Sequence, residues 1–201
     1  MSIGYYLSHP QVQVDPSVPV PRWGLSDVGR ARLSALAGAV WLRSISRIVS
    51  SDENKAIETA AMVAPMTAAN QVEIVEGFHE NDRSSTGFLP PAEFEDMADK
   101  FFGQPETSVR GWERAVDAQK RIVGAVSALL AKHDASQPIL FVGHGGVGTL
   151  LKCWLNNDPI ARAHDQAAEG GHPGGGNVHA FFLPAMHHIF GWVAVERVNE
   201  L

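Results

Sequence analysis

The sequence predicts an α/β protein, a three-layer α/β/α sandwich around a mostly parallel central sheet. Two observations predict it. Short apolar runs alternate along the chain with longer segments of helical period, the pattern of strand–helix–strand units. One run, Ile139-Leu140-Phe141-Val142, is apolar without interruption and stops at Gly143, as a central strand covered on both faces does.

The elements follow in order. Ile3 to Leu7 reads as a strand ending at Ser8-His9-Pro10. Pro16, Pro19 and Pro21 make the next stretch, to Trp23, a loop. Ser26 is placed to cap a helix reaching about Trp41, with Val28, Leu33, Leu36 and Val40 on its apolar face. Ile45 to Val49 is a second strand broken by Ser50-Ser51, and a helix over about 53–64 follows. Val72 to Val75 is a third. The stretch from Gly77 to Gly111 is irregular apart from a short helix after Pro90-Pro91 that contains Phe94, Met97 and Phe101. From Glu113 to Lys132 the period is helical, with Val116, Val123, Val126 and Leu130 as its stripe. A helix over about 146–155, a polar loop and two strands near 178–183 and 190–195 complete the chain, and place His187-His188 in a turn.

Composition bounds the function. At 201 residues the chain is expected to form a single domain, 1–201, large enough to bury roughly 70% of its unfolded surface without staples. Hydrophobic residues at 45% against 19% charged exclude a disordered chain. A formal charge of −6 gives no footprint for nucleic acid, so any anion site must be a local gathering of basic groups. One cysteine, Cys153, excludes an internal disulfide and a zinc site of several thiolates; beside Trp154 in an apolar helix it reads as a core residue. No run is long and apolar enough for a membrane span, and the N-terminus lacks the basic and apolar regions of a signal peptide. The expectation is a cytoplasmic protein with no membrane partner; its oligomeric state is open.

In open α/β sheets, ligands lie beyond the carboxyl ends of the strands. Three such ends carry unusual polar residues here: Ser8-His9, Ser50-Ser51 with Lys55 one turn on, and Gly143-His144-Gly145. Parallel strands bring them to one rim, where two histidines and a lysine make a small cationic pocket suited to phosphate. The glycines around His144 let backbone amides approach an anion at a helix start.

These residues resemble the histidine phosphatase superfamily, also called phosphoglycerate mutase-like. The family opens with a strand ending Arg-His-Gly, and Leu7-Ser8-His9-Pro10 stands there. Its Pro-Leu-Ser/Thr-x-x-Gly helix start is similar to Gly24-Leu25-Ser26-Asp27-Val28-Gly29. Its Ser-x-x-x-Arg-x-x-x-Thr-Ala motif matches Ser51 to Ala60 with Lys55 in place of arginine. Glu80 follows the third strand, and Gly-His-Gly-Gly is present at Gly143 to Gly146. The resemblance implies the phosphoglycerate mutase-like sandwich and hydrolysis of a phosphomonoester. It makes His9 the nucleophile that becomes phosphohistidine, Glu80 the acid and base, and His144 and Lys55 holders of the phosphoryl oxygens. It implies no metal and no cofactor, and a small-molecule phosphate ester or inorganic phosphate as partner.

The chain departs from that pattern at three places. Ser8 replaces an arginine and supplies one neutral hydrogen bond to phosphate; Lys55 keeps a charge without the bidentate fork; Pro10 replaces glycine and removes an amide. A pocket so reduced needs another guanidinium, and Arg22, in the loop after His9, or Arg83, just after Glu80, is expected to supply it. The segment 81–112, with Phe88-Leu89-Pro90-Pro91 and Phe101-Phe102, is expected to cap the pocket or to pack in the core. His79 and His172 are read as peripheral.

Two alternatives stand beside this reading. Ser8 and Pro10 suggest a phospho-ligand-binding protein on the same fold that does not turn over. Gly143 to Gly148 also fits G-x-G-x-x-G, the signature of a dinucleotide-binding oxidoreductase, although no second strand with a terminal acid follows.

Overall fold

The computed structural model describes residues 2–198; residues 1 and 199–201 of the expected domain lie outside the described residues. The strands are β1 (Ser2–Ser8), β2 (Arg47–Ser50), β3 (Val72–Ile74), β4 (Ile139–Gly143), β5 (Asn177–Leu183) and β6 (His187–Ala194). The helices are α1 (Asp27–Leu33), α2 (Asn54–Val63), α3 (Pro91–Gly103), α4 (Ala115–Leu130) and α5 (Gly145–Asn156). The strands form one sheet in the order β3-β2-β4-β1-β5-β6. Its first four are parallel, β5 runs against β1, and β6 runs against β5.

Alternation along the strands divides the core between the two faces of the sheet. Tyr6, Val49, Phe141 and Phe181 pack with Met97, Phe101, Ile122 and Leu150 on the α3–α4–α5 face. Their neighbours Leu7, Ile48, Leu140 and Val142 pack with Leu33, Ala56, Ala60 and Val63 on the α1–α2 face. All five residues of β4 are buried, so the uninterrupted run 139–142 serves both layers at once. Each large side chain buried this way contributes about 1.5–3 kcal/mol.

Four expectations are corrected. The helix after Ser26 is capped as predicted, with the Ser26 hydroxyl accepting from Gly29 N at 3.1 Å, but its α-helical part ends at Leu33. A 3-10 turn over Ser34–Leu36 follows, and Gly38 at φ 92° breaks the path before a second turn at Trp41–Ser44. This folding back buries Leu36, Ala39, Leu42 and Ile45, and leaves Val28 and Val40 exposed. On α4 the buried line is Ala115, Ala118, Ile122 and Val126; Val123 and Leu130 are only partly covered, and Val116 is outside the cluster. The second strand begins at Arg47 rather than Ile45. The last strand begins at His187, so the turn lies at 184–186 and the histidine pair is in the strand.

The order of pairing positions the site. β1 and β4 are neighbours in register, with Ser8 opposite Gly143, so His9 and His144 leave the sheet side by side.

Candidate active site

His9 continues β1 for one residue. Its amide donates to Gly143 O at 2.9 Å and its carbonyl accepts from Gly176 N at 3.0 Å, so the backbone is held from both flanks. The ring Nδ1 lies 2.8 Å from the Pro10 carbonyl. A carbonyl only accepts, so Nδ1 carries the proton and Nε2 is left with a bare lone pair. Burial, with the Lys55 charge nearby, pushes the His9 pKa down to about 4 despite the Pro10 contact, so the ring is neutral at physiological pH.

His144 stands edge-on to His9, with ring centroids 5.2 Å apart, and is fully buried. Tyr6 fixes its backbone from below: the hydroxyl accepts from His144 N at 3.0 Å and donates to His144 O at 3.2 Å. The Ser51 hydroxyl accepts from Glu53 N at 3.2 Å and lies 2.9 Å from His144 Nε2. Its Nδ1 is buried and has no partner among the described residues. Burial holds the His144 pKa well below the usual value.

Glu80 reaches across to the start of α5. Its Oε2 accepts from Gly146 N at 3.0 Å, and its Oε1 from Val147 N at 2.9 Å and Asn81 N at 3.1 Å. Position 146 has no room for a side chain, since a Cβ there would lie 2.7 Å from Glu80 Oε1. The protein's own carboxylate therefore fills the helix start. The strand after α5 is the antiparallel β5, so no parallel βαβ unit surrounds the glycine-rich turn and the dinucleotide alternative fails.

A cavity of about 620 Å³ opens here, lined by His9, Glu80, Arg83, Gly145, Gly146 and Gln166 among others. The segment 81–112 supplies its apolar wall through Phe94, Phe101, Phe102 and Trp112. The last three also belong to the core. Arg83 stacks on Phe94, its guanidinium carbon 4.8 Å from the ring centroid, and forms no salt bridge among the described residues. Arg22 is exposed and absent from the cavity wall; its amide donates to Pro19 O and its carbonyl accepts from Asn54 Nδ2. Of the two arginines proposed as replacements, geometry brings only Arg83 to the cavity.

Three further expectations are corrected. Ser8 does not face the cavity: it is fully buried, its hydroxyl 2.9 Å from Gln166 Oε1 and 3.4 Å from Asn177 O, and it accepts from Asn177 N at 3.1 Å. The reason is the strand pleat, which sends adjacent residues to opposite faces. Lys55 is also outside the wall; its ammonium pairs with Glu53 Oε2 and donates to Val20 O at 3.1 Å. His144, expected beside it as a holder of phosphoryl oxygens, is fully buried and lies behind the wall rather than in it.

Sequence reasoning missed Glu53. Burial would raise its carboxyl, but the Lys55 ammonium and the Glu80 amide offset this and hold it below the usual carboxylate range. Burial lowers the Lys55 pKa, with Glu53 opposing. Gln166 was missed too, lying in a polar loop without period. Of the peripheral histidines, His79 contacts the Glu80 carbonyl through Nδ1 at 2.8 Å, and His172 Nδ1 accepts from Gly174 N at 2.9 Å.

Comparison with known proteins follows the same lines. The model of the histidine phosphatase superfamily (branch 1) matches residues 14–169. This chain belongs to that superfamily. The matched span begins after His9, so the place of His9 rests on the geometry above. No curated protein matches the chain significantly. Among solved structures, the mycobacterial glucosyl-3-phosphoglycerate phosphatase with inorganic phosphate superposes at a TM-score of 0.75 and 22% identity, covering 98% of this chain and 99% of that one. The same enzyme with VO3 gives 0.74 and 24%, covering 96% and 100%. Bacillus stearothermophilus YhfR gives 0.73 and 20%, covering 94% and 95%. At these identities the likeness is one of fold, the phosphoglycerate mutase-like α/β sandwich. Among the described residues no helix is long and apolar enough to cross a membrane.

Proposed function

We propose that this member of the superfamily is a phosphomonoester hydrolase working through a phosphohistidine on His9. The observation that carries the reading is the bare Nε2 of His9 at the cavity wall, its tautomer fixed by the Pro10 carbonyl behind it. The Nε2 lone pair attacks phosphorus, and the bond from phosphorus to the ester oxygen breaks. Glu80, on the same wall and entering the step as its neutral acid protonated on Oε2, gives that oxygen its proton, and the alcohol departs. Water then attacks the phosphohistidine, its proton returns to Glu80, the P–N bond breaks, and inorganic phosphate leaves with the ring restored. Arg83, on the same wall, holds the phosphoryl oxygens while charge redistributes. Phosphate and vanadate in the mycobacterial enzyme of the same fold support a phosphoryl site in this cavity.

The test is phosphate release from a panel of small phosphomonoesters by wild type and His9→Ala. Release by the wild type alone, with acid-labile label retained on the protein, is the expected result. Arg83→Met should raise KM about 10- to 100-fold through loss of a charged hydrogen bond.

One observation favours a second reading. Lys55 is spent on Glu53, so the pocket has less free positive charge than its lysine suggests, which fits a protein that binds phosphate esters without turnover. Tight binding with no release and no label on His9 would select it.

A further inference from the structure

Gln166 lies in the loop between α5 and β5 and lines the same cavity as His9. Its amide is held by a network that leaves little freedom. The Oε1 accepts from the Ser8 hydroxyl at 2.9 Å and from Asn177 Nδ2 at 2.8 Å, using both lone pairs. Ser8 and Asn177 are fully buried. Asn177 is fixed in turn: its Oδ1 accepts from His172 N at 2.7 Å and its Nδ2 also donates to His172 O at 2.9 Å. Turning the Gln166 amide over would set its NH2 against the Asn177 NH2, two donors facing each other. The amide therefore has one orientation.

That orientation sends Nε2 towards the His144 turn. A Cβ built on Gly145 would lie 2.4 Å from it, so the NH2 rests against the backbone next to His144. Nε2 has no hydrogen-bond acceptor among the described residues. An amide fixed at its oxygen by two buried groups, with its two N–H bonds free at a cavity wall, is an anion donor awaiting its ligand.

We propose that Gln166 is a phosphate-binding residue of this site, with Ser8 and Asn177 as its positioning residues. Its ligand is a phosphoryl oxygen, of a phosphate ester or of inorganic phosphate. This inference rests on the phosphate-binding reading of the cavity. Ser8 then contributes to phosphate binding at second hand, through the amide it orients. The donor is neutral, so the oxygen is held by direction rather than by charge.

The test is binding of inorganic phosphate, followed by calorimetry on the full chain, together with phosphomonoester turnover. Gln166→Leu should weaken phosphate binding about 10- to 100-fold with the fold retained by circular dichroism. Gln166→Glu, which places a carboxylate where the NH2 was, should weaken it further. Ser8→Ala should move binding in the same direction by a smaller factor, and Ser8→Thr, which keeps the hydroxyl, should restore it. A purely structural Ser8 would shift melting without shifting phosphate affinity. Wild-type affinity in Gln166→Leu, with wild-type turnover intact, overturns the role of Gln166 and leaves the hydrolase reading standing. A wild type that neither binds phosphate nor releases it overturns both. Should Gln166→Leu fail to fold, Gln166→Met carries the same comparison.

Discussion

His9 has a different support on each side. Towards β5 lies a neutral network of Ser8, Gln166 and Asn177, in which each acceptor is met and one NH2 is left facing the cavity. Towards α2 lies a buried ion pair, Glu53 with Lys55, whose carboxylate also reaches within 3.7 Å of His144 Nε2. The neutral side presents a donor to a ligand; the charged side satisfies itself. A formal charge near a site is therefore a poor measure of what the site offers. What counts is which hydrogens remain uncommitted once the protein's own acceptors are served.

The comparison can be broken most forcefully at Glu53. Glu53→Ala strands a buried ammonium and should cost about 3–5 kcal/mol in urea unfolding, while Glu53→Ala with Lys55→Met should recover much of it. A single-variant loss below about 1 kcal/mol would mean that Lys55 is not held by Glu53 at all. Next, Asn177→Ala leaves Gln166 Oε1 and the His172 amide without their partner, at about 1–3 kcal/mol and with weakened phosphate affinity.

A pH titration separates the sides further. The His9 pKa is near 4 in the folded protein against 6.5 ordinarily, so the unfolded chain binds more protons between those values. The contribution of this ring to stability is therefore complete above about pH 6.5 and is lost as pH falls towards 4. His144 and His179, both lowered by burial, act in the same direction. His9→Asn should flatten the stability profile in that window, measured by chemical denaturation at stepped pH. The smallest effect belongs to Arg22→Ala, an exposed position: within about 0.5 kcal/mol in stability and no change in phosphate affinity.

The strands were legible because a sheet buried on both faces needs short apolar runs, and 3–7 and 139–142 can be little else. His9 and His144 were legible as polar residues at the ends of such runs, and Glu80 through its place in the family pattern. Side-chain direction was not. Ser8 adjoins His9 in sequence, yet the pleat turns it to Gln166, which lies 158 residues away. Gln166 sits in a loop with no period to mark it. Glu53 reads as an ordinary helix-start acid, and only the fold brings it against His144. The length of α1 misled for a related reason: Val28 and Val40 fit a helical stripe, but Gly38 and the burial of Leu42 and Ile45 decide the path.

The grip of Tyr6 on the His144 backbone has a consequence for how ligands enter. A Cβ on Gly143 would lie 2.3 Å from the Tyr6 hydroxyl, so this turn is clamped to β1 from beneath. The spacing of the two histidines is then set by strand pairing, which does not breathe at the pace of loops. Phosphate should meet a surface already in its bound shape, with little reorganisation and an association rate close to that set by diffusion and orientation.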